Sequence, residues 1–156
     1  MEKVSLPPQI VIGARDTLNF DEIGAFFDHY YPMMEKFLSS IGARPQAKRS
    51  FTLAEPTDVI DMIAAFLIAE EDLPMIEPLV GDVDDEKVAL HRFAAGEFLK
   101  TRHTGPYVEL SVSWEKFLDE ARDAGYTPGP LSFEDYLDSD AGVDLYLSLE
   151  LNSSSM

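Results

Sequence analysis

The chain has 156 residues, 46% of them hydrophobic and 11% aromatic, enough to bury a core and well outside the composition of disordered segments. Twelve basic residues against 29 acidic ones leave a formal charge of −17, a field that repels nucleic acid phosphates and anionic membranes and favours basic or cationic partners. The absence of cysteine removes disulfides, zinc thiolates, iron–sulfur clusters and thiol catalysis. Met1 to Pro8 lacks the apolar run of a signal peptide, and the longest apolar stretch, Met62 to Ala69, falls far short of the roughly 20 residues a membrane span needs. A soluble, cytoplasmic protein is expected, with neither nucleic acid nor membrane as partner.

Gln9 to Ala14 is an apolar run bounded by Pro8 and Asp16 and predicts a strand. Ile23, Phe26, Phe27, Tyr30, Met34, Phe37, Leu38 and Ile41 then recur at spacings of three and four, the pattern of an amphipathic helix. Asp21 is the expected N-cap, Gly42 the residue just past the C-terminus, and Pro32 should bend the helix by removing a hydrogen-bond donor. Arg49 to Ala54 and Val59 to Ala69 predict two strands around the turn Glu55-Pro56-Thr57-Asp58.

The stretch from Glu70 to Glu86 is acidic and contains proline, and reads as a solvated connector. Beyond it, Lys87 to Phe93 and Glu97 to His103 predict a hairpin around Ala94-Ala95-Gly96. Gly105-Pro106 opens a second helix whose apolar stripe is Leu110, Trp114, Phe117, Leu118 and Ala121, closed by Gly125. Ser132 to Asp138 and Val143 to Leu151 predict two further strands joined by Ser139-Asp140-Ala141-Gly142.

The two halves match in letters. Met34-Glu35-Lys36-Phe37-Leu38 recurs as Trp114-Glu115-Lys116-Phe117-Leu118, and Gly42, Pro45, Ser50-Phe51 and Ile60-Asp61 recur as Gly125, Pro128, Ser132-Phe133 and Val143-Asp144. Five matches in one order predict a duplicated β-α-β-β unit. The expected fold is α+β, a single domain over 1–156: repeats over about 9–69 and 87–151, a connector over 70–86, antiparallel sheets side by side and helices on one face. The open face or the seam between the copies is the natural concave site.

His103-Thr104-Gly105-Pro106-Tyr107, followed by Leu110, Trp114, Phe117-Leu118, Gly125, Pro128, Gly129-Pro130 and Phe133-Glu134-Asp135-Tyr136, resembles the GyrI-like small-molecule-binding family. That family includes effector-binding domains of multidrug-responsive transcription activators and gyrase-inhibitory proteins. The resemblance runs from about Gln9 to Leu151 and implies a central cleft lined with aromatics. It also implies that Glu134, with Tyr136 beside it, meets cationic, lipophilic ligands. The chain as given leaves no room for a helix-turn-helix before its first strand, so a stand-alone member without direct promoter control is expected.

Glu134 and Tyr136 are two apart on a strand and share a face, while Phe133, Asp135 and Leu137 share the other. A carboxylate beside a phenol suits an organic cation through charge and cation–π attraction. The pattern alone also fits an edge strand with Glu134 in water, and the resemblance points instead to the cleft. Trp114, on the apolar stripe, can pack in the core or face the cleft; Tyr107 can cap its helix or reach the rim. Phe66 and Tyr146 fall on corresponding strands and either can line the cleft. Tyr30 and Tyr31 belong to core or rim. Asp61 and Asp144, at equivalent positions, are expected to hydrogen-bond turn amides. His103 is expected to orient the Gly105-Pro106 turn. His29, His91 and His103 lack metal-ligand spacing, and Asp82-x-Asp84-x-Glu86 has Lys87 where a calcium loop needs glycine, so neither metal nor cofactor is expected.

Three functions follow. The first is binding or sequestration of a lipophilic, cationic small molecule. The second, implied by stand-alone relatives that open strained cyclopropanes, is a hydrolase with Glu134 as general base. The third is an acidic protein that engages a basic partner or a DNA-handling enzyme such as gyrase.

Overall fold

The computed structural model describes residues 1–137 and 142–149. Eight strands form one sheet in which every pairing is antiparallel: β1 (Glu2–Leu6), β2 (Gln9–Leu18), β3 (Ala47–Thr52), β4 (Ile60–Leu67), β5 (Val88–Phe93), β6 (Gly96–His103), β7 (Pro128–Tyr136) and β8 (Val143–Leu149). Their order across the sheet is β1-β6-β8-β7-β3-β4-β2-β5. Exchanging the two halves of the chain reverses this order onto itself, so the duplication read from the letters appears as a pseudo-twofold between β3 and β7. The expected strand end at 138, the expected turn residues 139–141 and the expected strand end at 150–151 lie outside the described residues.

The expected hairpin of residues 87–103 does not form. β5 pairs with β2 and β6 with β1, at opposite ends of the strand order. One register runs through both pairings, with Glu2 opposite Lys100, Leu6 opposite Gly96, Gln9 opposite Phe93 and Ala14 opposite Val88. Thus β1 and β2 run on as one arm of a long ribbon and β5 and β6 as the other. The ladder is interrupted where Pro7 and Pro8 offer no N–H. Each half therefore lends its first strand to the other, which also gives Glu2–Leu6, absent from the expected elements, its place in the sheet.

α1 (Ile23–Ser40) and α3 (Leu110–Asp123) lie on the same face of the sheet. α1 buries Phe26, Tyr30, Tyr31, Met34 and Leu38 on β2 and β4, and continues through Pro32. It is entered through a 3-10 turn, Phe20–Glu22, where the Glu22 carboxylate accepts from the Asn19 amide at 2.8 Å. The helix entrance is thus set at Asn19 and not at Asp21. Gly42 and Gly125 end the two helices with φ of 77° and 88°, a left-handed turn that only glycine adopts freely.

α3 buries Phe117 and Ala121 on β6 and β8. In burial, Met34 and Leu38 correspond to Phe117 and Ala121, the spacing that also relates Gly42 to Gly125. The matching pentapeptides occupy equivalent helices but sit nearly one turn apart, because the face that packs on the sheet sets the phase.

The other face of the sheet curls on itself. Phe51, Phe133, Val11 and Ile63 are almost wholly buried there, with Phe93 stacked on Phe51 at 4.3 Å between ring centroids. Strands three apart in the order make that contact, so the centre of the inner face is filled by side chains, and a second cavity of about 860 Å³ opens at its edge beside Phe93, Phe98 and Leu131.

The acidic stretch is more than a solvated link. It contains α2 (Leu73–Ile76) between 3-10 turns, buries Ile76 completely, and packs Leu73, Val80 and Val83 against the α1 core. Asp85 accepts from the Tyr30 hydroxyl at 2.8 Å and from the Lys87 amide at 2.9 Å.

Candidate functional site

Between α1 and α3, above the seam of β3 and β7, lies a cavity of about 1300 Å³. Its floor alternates along two strands in register, Lys48 opposite Tyr136, Ser50 opposite Glu134 and Thr52 opposite Ser132. Phe27 and Ile23 of α1 form one wall; Leu110, Trp114 and Leu118 of α3 form the other. Phe20 and Tyr107, each opening the 3-10 turn before its helix, flank the mouth and are about 60% exposed (62% and 63%).

Glu134 lies at the centre of this floor. One carboxylate oxygen accepts from the Trp114 indole Nε1 at 2.7 Å and the other from the Tyr136 hydroxyl at 2.6 Å. Ser50 Oγ lies 2.8 Å from the same hydroxyl. Burial pushes the Tyr136 phenol well above its usual range, and the Glu134 charge adds to the effect, so the hydroxyl stays protonated and able to donate. Among the described residues no cation pairs with Glu134. Two neutral donors hold the carboxylate in place and leave its charge uncompensated.

The expected site residues separate into two sets. Glu134, Tyr136, Trp114 and Tyr107 come together in the cavity, with the Tyr107 ring edge-on to Tyr136 at 6.5 Å. Trp114 resolves the choice between core and cleft by doing both: its ring lies 5.7 Å from Phe117 while its N–H faces the cavity floor. Phe66 and Tyr146 do not line the cleft. Phe66 is on the helix face but lies beneath α1, edge-on to Tyr31 at 5.5 Å. Tyr146 has the opposite strand phase and stacks on Phe133 at 4.4 Å inside the curled face.

Two supporting roles also become defined. His103 is buried, with Nε2 3.0 Å from the Pro106 carbonyl and Nδ1 2.6 Å from Ser113 Oγ. A carbonyl only accepts, so Nε2 carries a proton, and the ring ties the turn bearing Tyr107 to α3. Asp61 and Asp144 pair with arginines of the adjacent strand and not with turn amides. Arg15 donates twice to Asp61, and Arg102 twice to Asp144.

Lys48, Ser50 and Thr52 are floor residues that the sequence reading missed. A signal was present: Ser50-Phe51 matches Ser132-Phe133, and pairing the two copies at that match sets these residues opposite the Glu134 strand. Among the described residues, no three His, Asp or Glu side chains gather as a metal site, and no helix is long and apolar enough to cross a membrane.

The sequence model of the GyrI-like small molecule binding domain matches residues 1–149. No curated protein is significantly similar in sequence. Among solved structures, the fold is similar to EcmrR in its DNA complex (TM-score 0.73, 13% identity), where 97% of this chain aligns with 57% of that chain. It is also similar to SAV2435 bound to tetraphenylphosphonium (TM-score 0.64, 13% identity), covering 96% of this chain and 93% of that one. A hydrolase from Listeria innocua is a third (TM-score 0.61, 16% identity; 96% and 91% covered).

Proposed function

The chain belongs to the GyrI-like small molecule binding domain family, and on that premise we propose that it binds or sequesters lipophilic cations in the cleft between α1 and α3, with Glu134 as the counter-charge. The observation that carries this reading is the state of the Glu134 carboxylate, held by Trp114 and Tyr136 and paired with no cation among the described residues. An arriving cation meets a fixed negative charge on an aromatic floor, gaining Coulomb attraction in a partly desolvated cleft and cation–π contact with Tyr136. Phe20 and Tyr107 at the mouth offer apolar surface to a ligand of several rings. The net charge of −17 raises the local concentration of cations and speeds their encounter. SAV2435, a protein of similar fold, binds tetraphenylphosphonium, a ligand of this class.

Hydrolysis of a reactive electrophile is the second reading. It is favoured by the similarity to the Listeria innocua hydrolase and by a carboxylate that opens onto a cavity large enough for substrate and water. Tetraphenylphosphonium distinguishes binding from inertness without requiring turnover. Trp114 is the only tryptophan and touches Glu134, so titration should change its fluorescence, and saturation at 100 times Kd should stabilise the fold by about 2.7 kcal/mol. No fluorescence change and no thermal shift at millimolar ligand would contradict the binding reading.

A further inference from the structure

Besides Glu134 the cleft is lined by Glu55, Glu115, Arg122 and Lys48, and of these Lys48 alone stands on the β3–β7 floor beside Glu134. Lys48, on β3 opposite Tyr136, is exposed and lines the cavity. Six of the twelve basic residues, Arg15, Arg49, Lys87, Arg92, Lys100 and Arg102, have a carboxylate partner, and of the other six Lys48 and Arg122 line the cavity. Lys48 forms no ion pair among the described residues. Its Nζ lies over the Tyr31 ring at 4.5 Å from the centroid and 6.0 Å from that of Tyr136.

The register fixes where the Lys48 position stands relative to that of Glu134. Lys48 faces Tyr136 and Ser50 faces Glu134, positions about 7 Å apart along a strand. Tyr136, which donates to Glu134, therefore separates a carboxylate from an ammonium on the same floor. The two halves contribute unequally: the place corresponding to Lys48 in the second copy is Pro130, and the place corresponding to Glu134 in the first is Thr52. A purely cationic ligand is attracted by Glu134 and repelled by Lys48. A ligand carrying both signs satisfies both.

We infer that the cleft selects amphoteric aromatic ligands, the cationic group at Glu134, the ring system on Tyr136 and an acidic group at Lys48. The inference rests on the cleft reading proposed above and adds a second anchor to it. Lys48 can leave the Tyr31 ring for a carboxylate, because an exposed cation–π contact is weak and the side chain is flexible.

Rhodamine B tests this, since it carries a xanthylium cation and a free carboxylate, whereas its ethyl ester keeps the cation and loses the acid. Both dyes are titrated calorimetrically into wild type, Lys48→Met, Lys48→Arg and Glu134→Gln. The acid should bind wild type about fivefold or more tighter than the ester, the scale of one charge-assisted contact in a partly open site. Lys48→Met should abolish that preference, weakening the acid while leaving the ester unchanged or, with the repulsion removed, slightly tighter, and Lys48→Arg should retain it. An ester that binds as tightly as the acid, or a Lys48→Met that tightens both dyes alike, would overturn the inference. Failure of the underlying reading looks different: Glu134→Gln would leave the ester's affinity unchanged, or neither dye would bind wild type at all. Lys48 is exposed, so its substitutions leave the core intact.

Discussion

Phe51 and Phe133 face each other across the β3–β7 seam, 5.0 Å between ring centroids, and are the same position of the two repeats. The pseudo-twofold passes between them. On the inner face they close the core; on the outer face their neighbours form the cleft floor. Because Ser50 pairs with Glu134 and Ser132 with Thr52, a symmetric backbone carries an acid on one side and a hydroxyl on the other. The duplicated fold thus supplies a seam, and sequence divergence between the copies supplies its chemistry.

Truncating either ring should open a void that the curled sheet cannot refill. Phe51→Ala is expected to cost about 3–5 kcal/mol in urea unfolding, as buried phenylalanines do. A loss below about 1 kcal/mol would mean that the inner face is closed by other side chains.

Asp144 is buried and accepts from Arg102 at 2.7 Å, with Lys100 Nζ at 3.5 Å. Burial alone would raise its pKa, but Arg102 and Lys100 outweigh it and hold the carboxyl below its usual range. A carboxylate depressed in the folded state stabilises above the unfolded value, about 3.9, and that stability is lost as pH falls through the folded value. Asp144→Asn should cost about 1–3 kcal/mol at pH 7, less than a fully buried pair because Arg102 is half exposed, and should flatten the acid limb of the stability curve. An unchanged acid limb would contradict this.

The acidic segment should respond unevenly to substitution. Ile76 is wholly buried, so Ile76→Ala should cost about 2–5 kcal/mol. Asp82 and Asp84 are exposed, and neutralising both should change stability by less than about 1 kcal/mol. Asp85→Ala should fall between, about 1–2 kcal/mol, by removing the acceptor of the Tyr30 hydroxyl and the Lys87 amide. Equal effects from all three aspartates would return the segment to a solvated link.

Much of the fold was legible in local pattern. The two long helices, most of the strands and the duplication follow from spacings of three and four, from alternation, and from Ser50-Phe51 recurring as Ser132-Phe133. Glu134 and Tyr136 shared a face simply because strands alternate. What local pattern cannot carry is pairing between distant segments. Lys87 to His103 reads as a hairpin because two strands flank a short break, yet the partners of that ribbon lie at Glu2–Leu6 and Gln9–Leu18. For the same reason Lys48 and Ser50 were not expected in the site, and Tyr146 was not separated from the cleft. In the acidic segment, Leu73, Ile76, Val80 and Val83 keep helical spacing, but the surrounding charge obscured it.

Asp135, next to Glu134 in sequence, lies on the opposite face of the strand and serves the fold. It pairs with Arg49 at 3.3 Å on the inner face, both side chains mostly buried, and Arg49 also donates to Gln9 at 2.6 Å. Asp135→Asn should therefore destabilise the fold by about 1–3 kcal/mol without altering the cleft.

The direct test of a cation-binding cleft is Glu134→Gln with two ligands of nearly equal shape, methyltriphenylphosphonium and neutral triphenylphosphine oxide, titrated calorimetrically. Glutamine keeps the side-chain shape, and the Tyr136 hydroxyl can turn to accept from it, so chiefly the charge is removed. The phosphonium should lose about 2–5 kcal/mol of affinity and the oxide well under 1 kcal/mol, while Asp135→Asn should leave both within about 0.5 kcal/mol. Equal losses for the two ligands on Glu134→Gln, or a larger loss from Asp135→Asn, would contradict a cleft that recognises charge through Glu134.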